Sequence, residues 1–293
     1  MKNLHIDIVQ EDEKWIKINN LTPYSIYFEL FNIDKNMGYP IKDRIPLGPG
    51  NYHKRPVSWK GNDLGFDAIT VINEIGELYA YTIKNDKVTL VKPKKISPKK
   101  PFVVVTGHQG SGTSIFVKSL KYFGAHNGDD AGNFNNRKAH ESVNIRMFFH
   151  YVLNKDNVDL KTMNNSFYNA MGVYNYKRWK INILKPLHLH YSQKLVDFLP
   201  NTKFISVIKH QEKGGLSPEG KNFNKADQVE ILEAQNPQLS GQQIFHMDWN
   251  KYFTDYQYAQ KVLEYVGFKF TLNEKIFDDM LKAINFDNKK LKK

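Results

Sequence analysis

Phe102-Val-Val-Val-Thr-Gly-His-Gln-Gly-Ser-Gly-Thr-Ser114 is the stretch on which the fold turns. Its first five residues are an apolar, β-branched run of the kind that forms a strand buried on both faces. Gly107-His-Gln-Gly-Ser-Gly-Thr-Ser114 follows without a spacer, residues 113–123 have helical character, and Gly124 is a stop. Strand, glycine loop and helix in direct succession are the context that a phosphate-binding loop requires. Gly107, Gly110 and Gly112 let backbone N–H groups turn toward one anion, and the helix amino terminus adds unpaired donors and a favourable dipole. Ser111, Thr113 and Ser114 supply hydroxyls, with His108 and Gln109 completing the loop.

Downstream, short apolar runs at Ile181–Leu184, Phe204–Ile208 and 243–246 alternate with helical segments at 139–153, 190–199, 225–235 and 252–266. On 139–153, Val143, Met147 and Tyr151 recur every four residues and define one apolar face. Near-continuous apolar strands separated by helices imply an α/β domain: a parallel sheet with helices on both faces. The glycine loop, Lys185 with His188, Lys209, and Asp248 each follow one candidate strand. Ligands of open α/β sheets bind outside the carboxyl ends of the strands, so these groups converge on one crevice suited to an anion.

Upstream, residues 1–91 read as strands. Ser25-Ile-Tyr-Phe-Glu-Leu-Phe31, Ala68-Ile-Thr-Val-Ile72, Leu78-Tyr-Ala-Tyr-Thr-Ile83 and Val88-Thr-Leu-Val91 are β-prone, with turn chemistry at 47–51, 60–63 and 73–76. This spacing suggests a small all-β sandwich or barrel, a β-rich accessory domain before the α/β domain. Its Tyr and Trp residues are either core or a surface for glycans. Residues 92–100 hold five lysines and two prolines and read as a stiff solvated linker, which leaves 101–293 as the α/β domain.

A chain of 293 residues accommodates two such domains. The absence of cysteine excludes disulfides, thiolate metal sites and Cys nucleophiles. No amino-terminal apolar core of signal-peptide length and no membrane-span-length apolar run occurs, so a cytoplasmic location is expected. The net charge is +12; residues 1–100 carry 16 basic and 12 acidic side chains, so most of the excess lies beyond them. With no arginine-rich run or RNA-binding signature, a small polyanion or an anionic polymer fits this balance as well as nucleic acid does.

Gly107 and Gly112 have the separation of a kinase-type loop, G-x-x-x-x-G-K-[ST], but Thr113 stands where that loop has lysine. Ser111-Gly-Thr-Ser114 instead resembles the sulfotransferase loop, (Lys or Arg)-Ser-Gly-Thr-(Ser or Thr). That family binds the 5′-phosphosulfate side of 3′-phosphoadenosine 5′-phosphosulfate there, on a P-loop-like fold, and needs no metal for transfer. A second similarity is Lys209, ending the run 204–208, with Ser217 eight positions on; the family clamps the 3′-phosphate with a basic residue and a serine so spaced. Phe245-His-Met-Asp-Trp-Asn250, with the helix after it, resembles the family's late strand and closing helix. The resemblance spans about residues 101–270.

It implies transfer of a sulfuryl group to an acceptor hydroxyl or amine. Gly107 to Ser114, Lys209 and Ser217 would hold the nucleotide, and a cation would assist the leaving group, for which Lys185 is a candidate from elsewhere in the chain. His188, after a strand, and Glu141, in Ala139-His-Glu-Ser142, are the two candidates for general base. Glu141 also reads as a first-turn acid that complements its helix dipole. Gly110 departs from the pattern, because the family has Lys or Arg there; Lys185, Lys118 or His108 could compensate. Two other classes stay open: a P-loop nucleotide kinase, and a non-catalytic nucleotide-binding protein. Tyr174, Tyr176, Arg178 and Trp179 form an aromatic-basic cluster that reads as a surface for a sugar, as a holder of an anionic polymer, or as a packed connection; the first makes a glycan the suggested acceptor.

Overall fold

A computed structural model describes residues 6–11, 15–32, 37–39, 46–56, 58–59, 62–63, 66–84, 87–91, 102–107, 111–127, 130–131, 142–153, 155, 157–172, 181–184, 198, 202–209 and 244–286. The chain divides into two compact units. One joins Met1–Ile96 to Gly128–Tyr176, and the other joins Ser97–Asn127 to Lys177–Lys293.

In the first unit, β1 (Ile6–Gln10), β2 (Trp15–Asn20) and β5 (Tyr52–Pro56) form an antiparallel sheet in the order β1-β2-β5. A six-stranded sheet contains β3 (Ile26–Asn32), β4 (Met37–Tyr39), β8 (Ala68–Asn73), β9 (Leu78–Lys84), β10 (Lys87–Leu90) and β13 (Asp130–Ala131). Its order is β10-β9-β8-β3-β4-β13, and β13 alone of these pairs in parallel. β6 (Ser58–Trp59) and β7 (Asn62–Asp63) pair separately. Alternate isoleucines Ile6, Ile8, Ile16 and Ile18 pack against Ile26, Phe28, Leu30, Ile69 and Val71, so the two sheets face each other across one core.

All six residues of β8 are buried, which a two-layer sandwich does not explain. Ile69 and Val71 belong to the core between the sheets, and by the two-residue period Ala68, Thr70 and Ile72 face the other way. Helices α2 (Val143–Phe148) and α3 (Leu160–Gly172) contact that side. The Thr70 hydroxyl donates to Asn144 Oδ1, and Arg146 Nη2 donates to Glu29 Oε1 at 2.7 Å. Tyr151 stacks on Tyr27 with centroids 4.2 Å apart. Ser166 Oγ accepts from the Leu78 N–H at 3.0 Å and donates to the Gly76 carbonyl at 2.8 Å.

The expected all-β domain over 1–91 is therefore corrected: its strands are present, but residues 143–172 add helices to it. The physical reason is the outward face of β8, which the sandwich leaves uncovered, together with Glu29. A carboxylate buried in a strand needs positive charge beside it, and Arg146, far downstream in the chain, adds an ion pair to the nearby Arg55 charge. The excursion 128–176, read from sequence as part of the α/β domain over 101–293, groups with the amino-terminal unit instead. The helix expected at 139–153 begins at Val143, capped by Ser142 Oγ, which accepts from the Ile145 N–H. Its last turn, Phe149–Leu153, widens to a π-helix.

The second unit holds β11 (Phe102–Gly107), β12 (Ala125–His126), β14 (Ile181–Leu184), β15 (Lys203–Ile208) and β16 (Ile244–Asp248). They form one wholly parallel sheet in the order β12-β14-β11-β15-β16. Val103, Val105, Ile205, Val207 and Met247 on one face pack against α1 (Thr113–Tyr122), α4 (Trp249–Tyr252), α5 (Tyr256–Val266) and α6 (Glu274–Ala283). The helix expected at 252–266 is broken at 253–255, because Asp255 caps α5 by accepting from the Gln257 and Tyr258 N–H groups. On the opposite face Phe102, Val104, Phe204 and Ile208 are buried as well; the helices expected at 190–199 and 225–235 lie outside the described residues, apart from Phe198.

This strand order positions a site. The chain leaves β11 for β12 on one side of the sheet and leaves β15 for β16 on the other. β11 and β15 are neighbours, so their connections diverge and open a crevice at their carboxyl ends.

Candidate functional site

Gly107 ends β11 beside Val207 of β15. A Cβ on Gly107 would overlap Ser111 Oγ and lie 2.8 Å from the Val207 carbonyl oxygen and 2.9 Å from Thr113 Cγ2. The chain after the strand thus folds back so tightly that only glycine fits. Gly112 is the N-cap of α1 at φ +85°, a left-handed conformation glycine adopts without strain. It supplies no side-chain cap, and the first turn has no acidic residue. The start of this ten-residue helix is thus without a side-chain cap among the described residues.

Ser111 is 4% exposed, and its Oγ has no hydrogen-bond partner among the described residues. Burying a hydroxyl unpaired costs about 1–3 kcal/mol. Such a group at an uncapped helix start is a signature of a site built for something else. Thr113 and Ser114 are half-buried beside it.

The neighbouring strands complete this edge. Ile208 pairs with Asp248, so Lys209 and Trp249 each begin one position past the paired ends of β15 and β16. Trp249 fills the space where Gly112 lacks a side chain: a Cβ there would overlap indole Nε1 and lie 2.8 Å from Cδ1 and 3.0 Å from Cε2. The ring is fixed by Phe253 and Phe286, at centroid distances of 4.9 and 5.5 Å. Trp249 Nε1 is buried with no partner among the described residues. The Lys209 ammonium lies 4.4 Å from the centroid of the Trp249 ring, a cation–π contact that holds positive charge near the loop. One row further into the sheet, Thr106, Ser206 and His246 occupy matching positions on β11, β15 and β16. Ser206 Oγ and His246 Nδ1 are likewise buried without partners among the described residues.

An uncapped helix start, two buried unpaired groups and a lysine at a topological switch point suit an oxyanion. No protein-family model and no curated protein matches this sequence. Among solved structures, the chain is similar to sulfotransferase STF1 from Mycobacterium tuberculosis, at 13% identity and a TM-score of 0.37, over 66% of this chain and 75% of that one. It is also similar to mouse sulfotransferase SULT7A1 complexed with PAP, at 9% identity and a TM-score of 0.33, over 70% of this chain and 73% of that one. Both are sulfotransferases. Likeness this distant carries no argument about chemistry, which rests on the residues.

Of the residues singled out from sequence, Gly107, Ser111, Gly112, Thr113, Ser114 and Lys209 come together at this edge. His108, Gln109, Gly110, Glu141, Lys185, His188 and Ser217 lie outside the described residues, as do Tyr174, Tyr176, Arg178 and Trp179. Lys118, a candidate substitute for the loop cation, is engaged elsewhere: its ammonium donates to the Ile284 carbonyl at 2.9 Å. Asp248 caps α4 by accepting from the Lys251 N–H at 3.0 Å. Trp249, Ser206 and His246 went unread as site residues. The signal for Trp249 was its position just past a strand end, level with Lys209.

Proposed function

We propose that this chain is a sulfotransferase that binds 3′-phosphoadenosine 5′-phosphosulfate at the carboxyl ends of β11, β15 and β16. The observation that carries the reading is the uncapped start of α1 at Gly112, with buried, unpaired Ser111 Oγ beside it. In the proposed pose, the 5′-phosphosulfate sits on the α1 amides and Ser111, and Lys209 with Ser217 holds the 3′-phosphate. The acceptor oxygen or nitrogen attacks sulfur, and its bond to the bridging oxygen breaks. The departing charge stays on the 5′-phosphate of 3′-phosphoadenosine 5′-phosphate, against the helix amino terminus. The acceptor proton passes to His188 or to Glu141. Sugar hydroxyls are the acceptor class that the aromatic-basic cluster at 174–179 suggests.

The kinase alternative is weaker. Thr113 stands where that loop has lysine, and the Asp248 carboxylate is spent on a helix cap. No helix among the described residues is long and apolar enough to cross a membrane.

Lys209→Ala tests the assignment. It should weaken binding of 3′-phosphoadenosine 5′-phosphate by about tenfold or more, as loss of a charged hydrogen bond does, and leave adenosine 5′-phosphate little changed. Equal losses for the two ligands would remove Lys209 from the 3′-phosphate.

A further inference from the structure

We infer that the Trp249 indole N–H is a hydrogen-bond donor to the anion at the glycine loop, compensating in part for the cation that Gly110 does not provide. The inference rests on the nucleotide reading above and assigns a residue that the loop motif does not contain.

Three observations converge. Trp249 is 4% exposed, and its Nε1 is buried without a partner among the described residues. A buried indole N–H normally finds an acceptor, and it can only donate, so the missing partner must be an acceptor atom. The pyrrole edge of the ring, Nε1 and Cδ1, lies against Gly112, the residue from which the α1 amides start. The donor is thus at the place where the other donors converge, and Ser111 Oγ is a second buried unpaired group there. The Lys209 ammonium over the ring face withdraws electron density from the indole, which strengthens its N–H as a donor. An acceptor surrounded by helix-start amides, a hydroxyl and an indole N–H is an oxyanion; in the proposed pose it is an oxygen of the 5′-phosphoryl group.

The test is Trp249→Phe in the full chain. Phenylalanine keeps an aromatic ring for Phe253, Phe286 and Lys209 and removes only the donor's edge. The variant should bind adenosine 3′,5′-bisphosphate about tenfold more weakly, about 1.4 kcal/mol, and adenosine 3′-phosphate as the wild type does. Unchanged affinity for the bisphosphate, or equal loss for both ligands, overturns the donor role. Should the wild type bind neither nucleotide, the nucleotide reading fails by itself. Inorganic pyrophosphate titrated into both proteins then decides the donor: weaker binding to the variant supports it, and equal binding overturns it. A second readout covers a variant that fails to fold. In wild-type protein labelled with 15N at its 4 tryptophans, one indole N–H resonance should move downfield on adding the bisphosphate. Four unmoved resonances would contradict the inference.

Discussion

The two units differ in where their buried polar groups find partners. In the amino-terminal unit most such groups close on one another: Glu29 with Arg146, the Thr70 hydroxyl with Asn144 Oδ1, and Ser166 with the backbone of Gly76 and Leu78, while Asn144 Nδ2 is buried without a partner among the described residues. Asn20 holds the carbonyls of Tyr24 and Leu47 and accepts from Thr22. In the α/β unit, Ser111, Ser206, His246 and Trp249 hold buried atoms without partners among the described residues, all near the carboxyl edge of the sheet. Paired groups rigidify a fold, whereas unpaired ones cost stability unless a ligand completes them. In the first unit polarity mostly serves architecture; in the second, unpaired groups gather at one edge of the sheet.

The contrast breaks first at Arg146. Arg146→Met leaves the buried Glu29 carboxylate with only the nearby Arg55 charge and should cost about 1–3 kcal/mol of stability, read from denaturant unfolding. Glu29→Met combined with Arg146→Met should recover only part of that loss, because buried Arg55 then loses the Glu29 charge, and neither variant should alter nucleotide affinity. A loss of binding would show that the paired network also serves the site.

Two serines of the α/β unit sharpen the contrast. Ser119 Oγ donates to the Phe116 carbonyl and shares a 2.9 Å hydrogen bond with Tyr252 Oη, so Ser119→Ala leaves a buried phenol unpaired and should cost about 1–2 kcal/mol. Burial pushes the Tyr252 phenol well above its ordinary pKa, as a phenol sealed in the core requires. Ser111→Ala should cost no stability, yet weaken nucleotide binding by about threefold to tenfold. Destabilisation by Ser111→Ala would mean that its hydroxyl is structural.

The smallest effect lies with His53. Burial, reinforced by the nearby Arg55 charge, lowers its pKa below the ordinary 6.5. The unfolded chain then binds the proton more readily than the folded one. The stability that His53 contributes is complete above pH 6.5 and is lost as pH falls through the lower folded value. His53→Asn should flatten this acid limb of the stability profile; an unchanged slope would assign it to other groups.

The α/β core was legible because its cues are local. The apolar run 102–106 and the glycines at 107 and 112 sit side by side, and each has a steric reason in the structure. The convergence of the loop with Lys209 was legible from strand ends alone. Trp249 was not, because its contact with Gly112 depends on the register of three strands joined by long connections. The helices packed on the amino-terminal sheet were hidden for a related reason. Glu29 gives no local sign that Arg146 pairs with it, and α3, rich in Asn, Ser and Thr, turns polar side chains such as Ser166 and Asn169 toward strand β9. Lys118 misled because a lysine on a helix next to the loop looks available until α6 brings the Ile284 carbonyl to it.

Calorimetric titration of the full chain with 3′-phosphoadenosine 5′-phosphate, beside ATP with magnesium, tests the central claim most directly. The account predicts micromolar binding of the first ligand and none of comparable strength for the second. Preference for magnesium-ATP, or binding of neither, would contradict a phosphosulfate site at the loop.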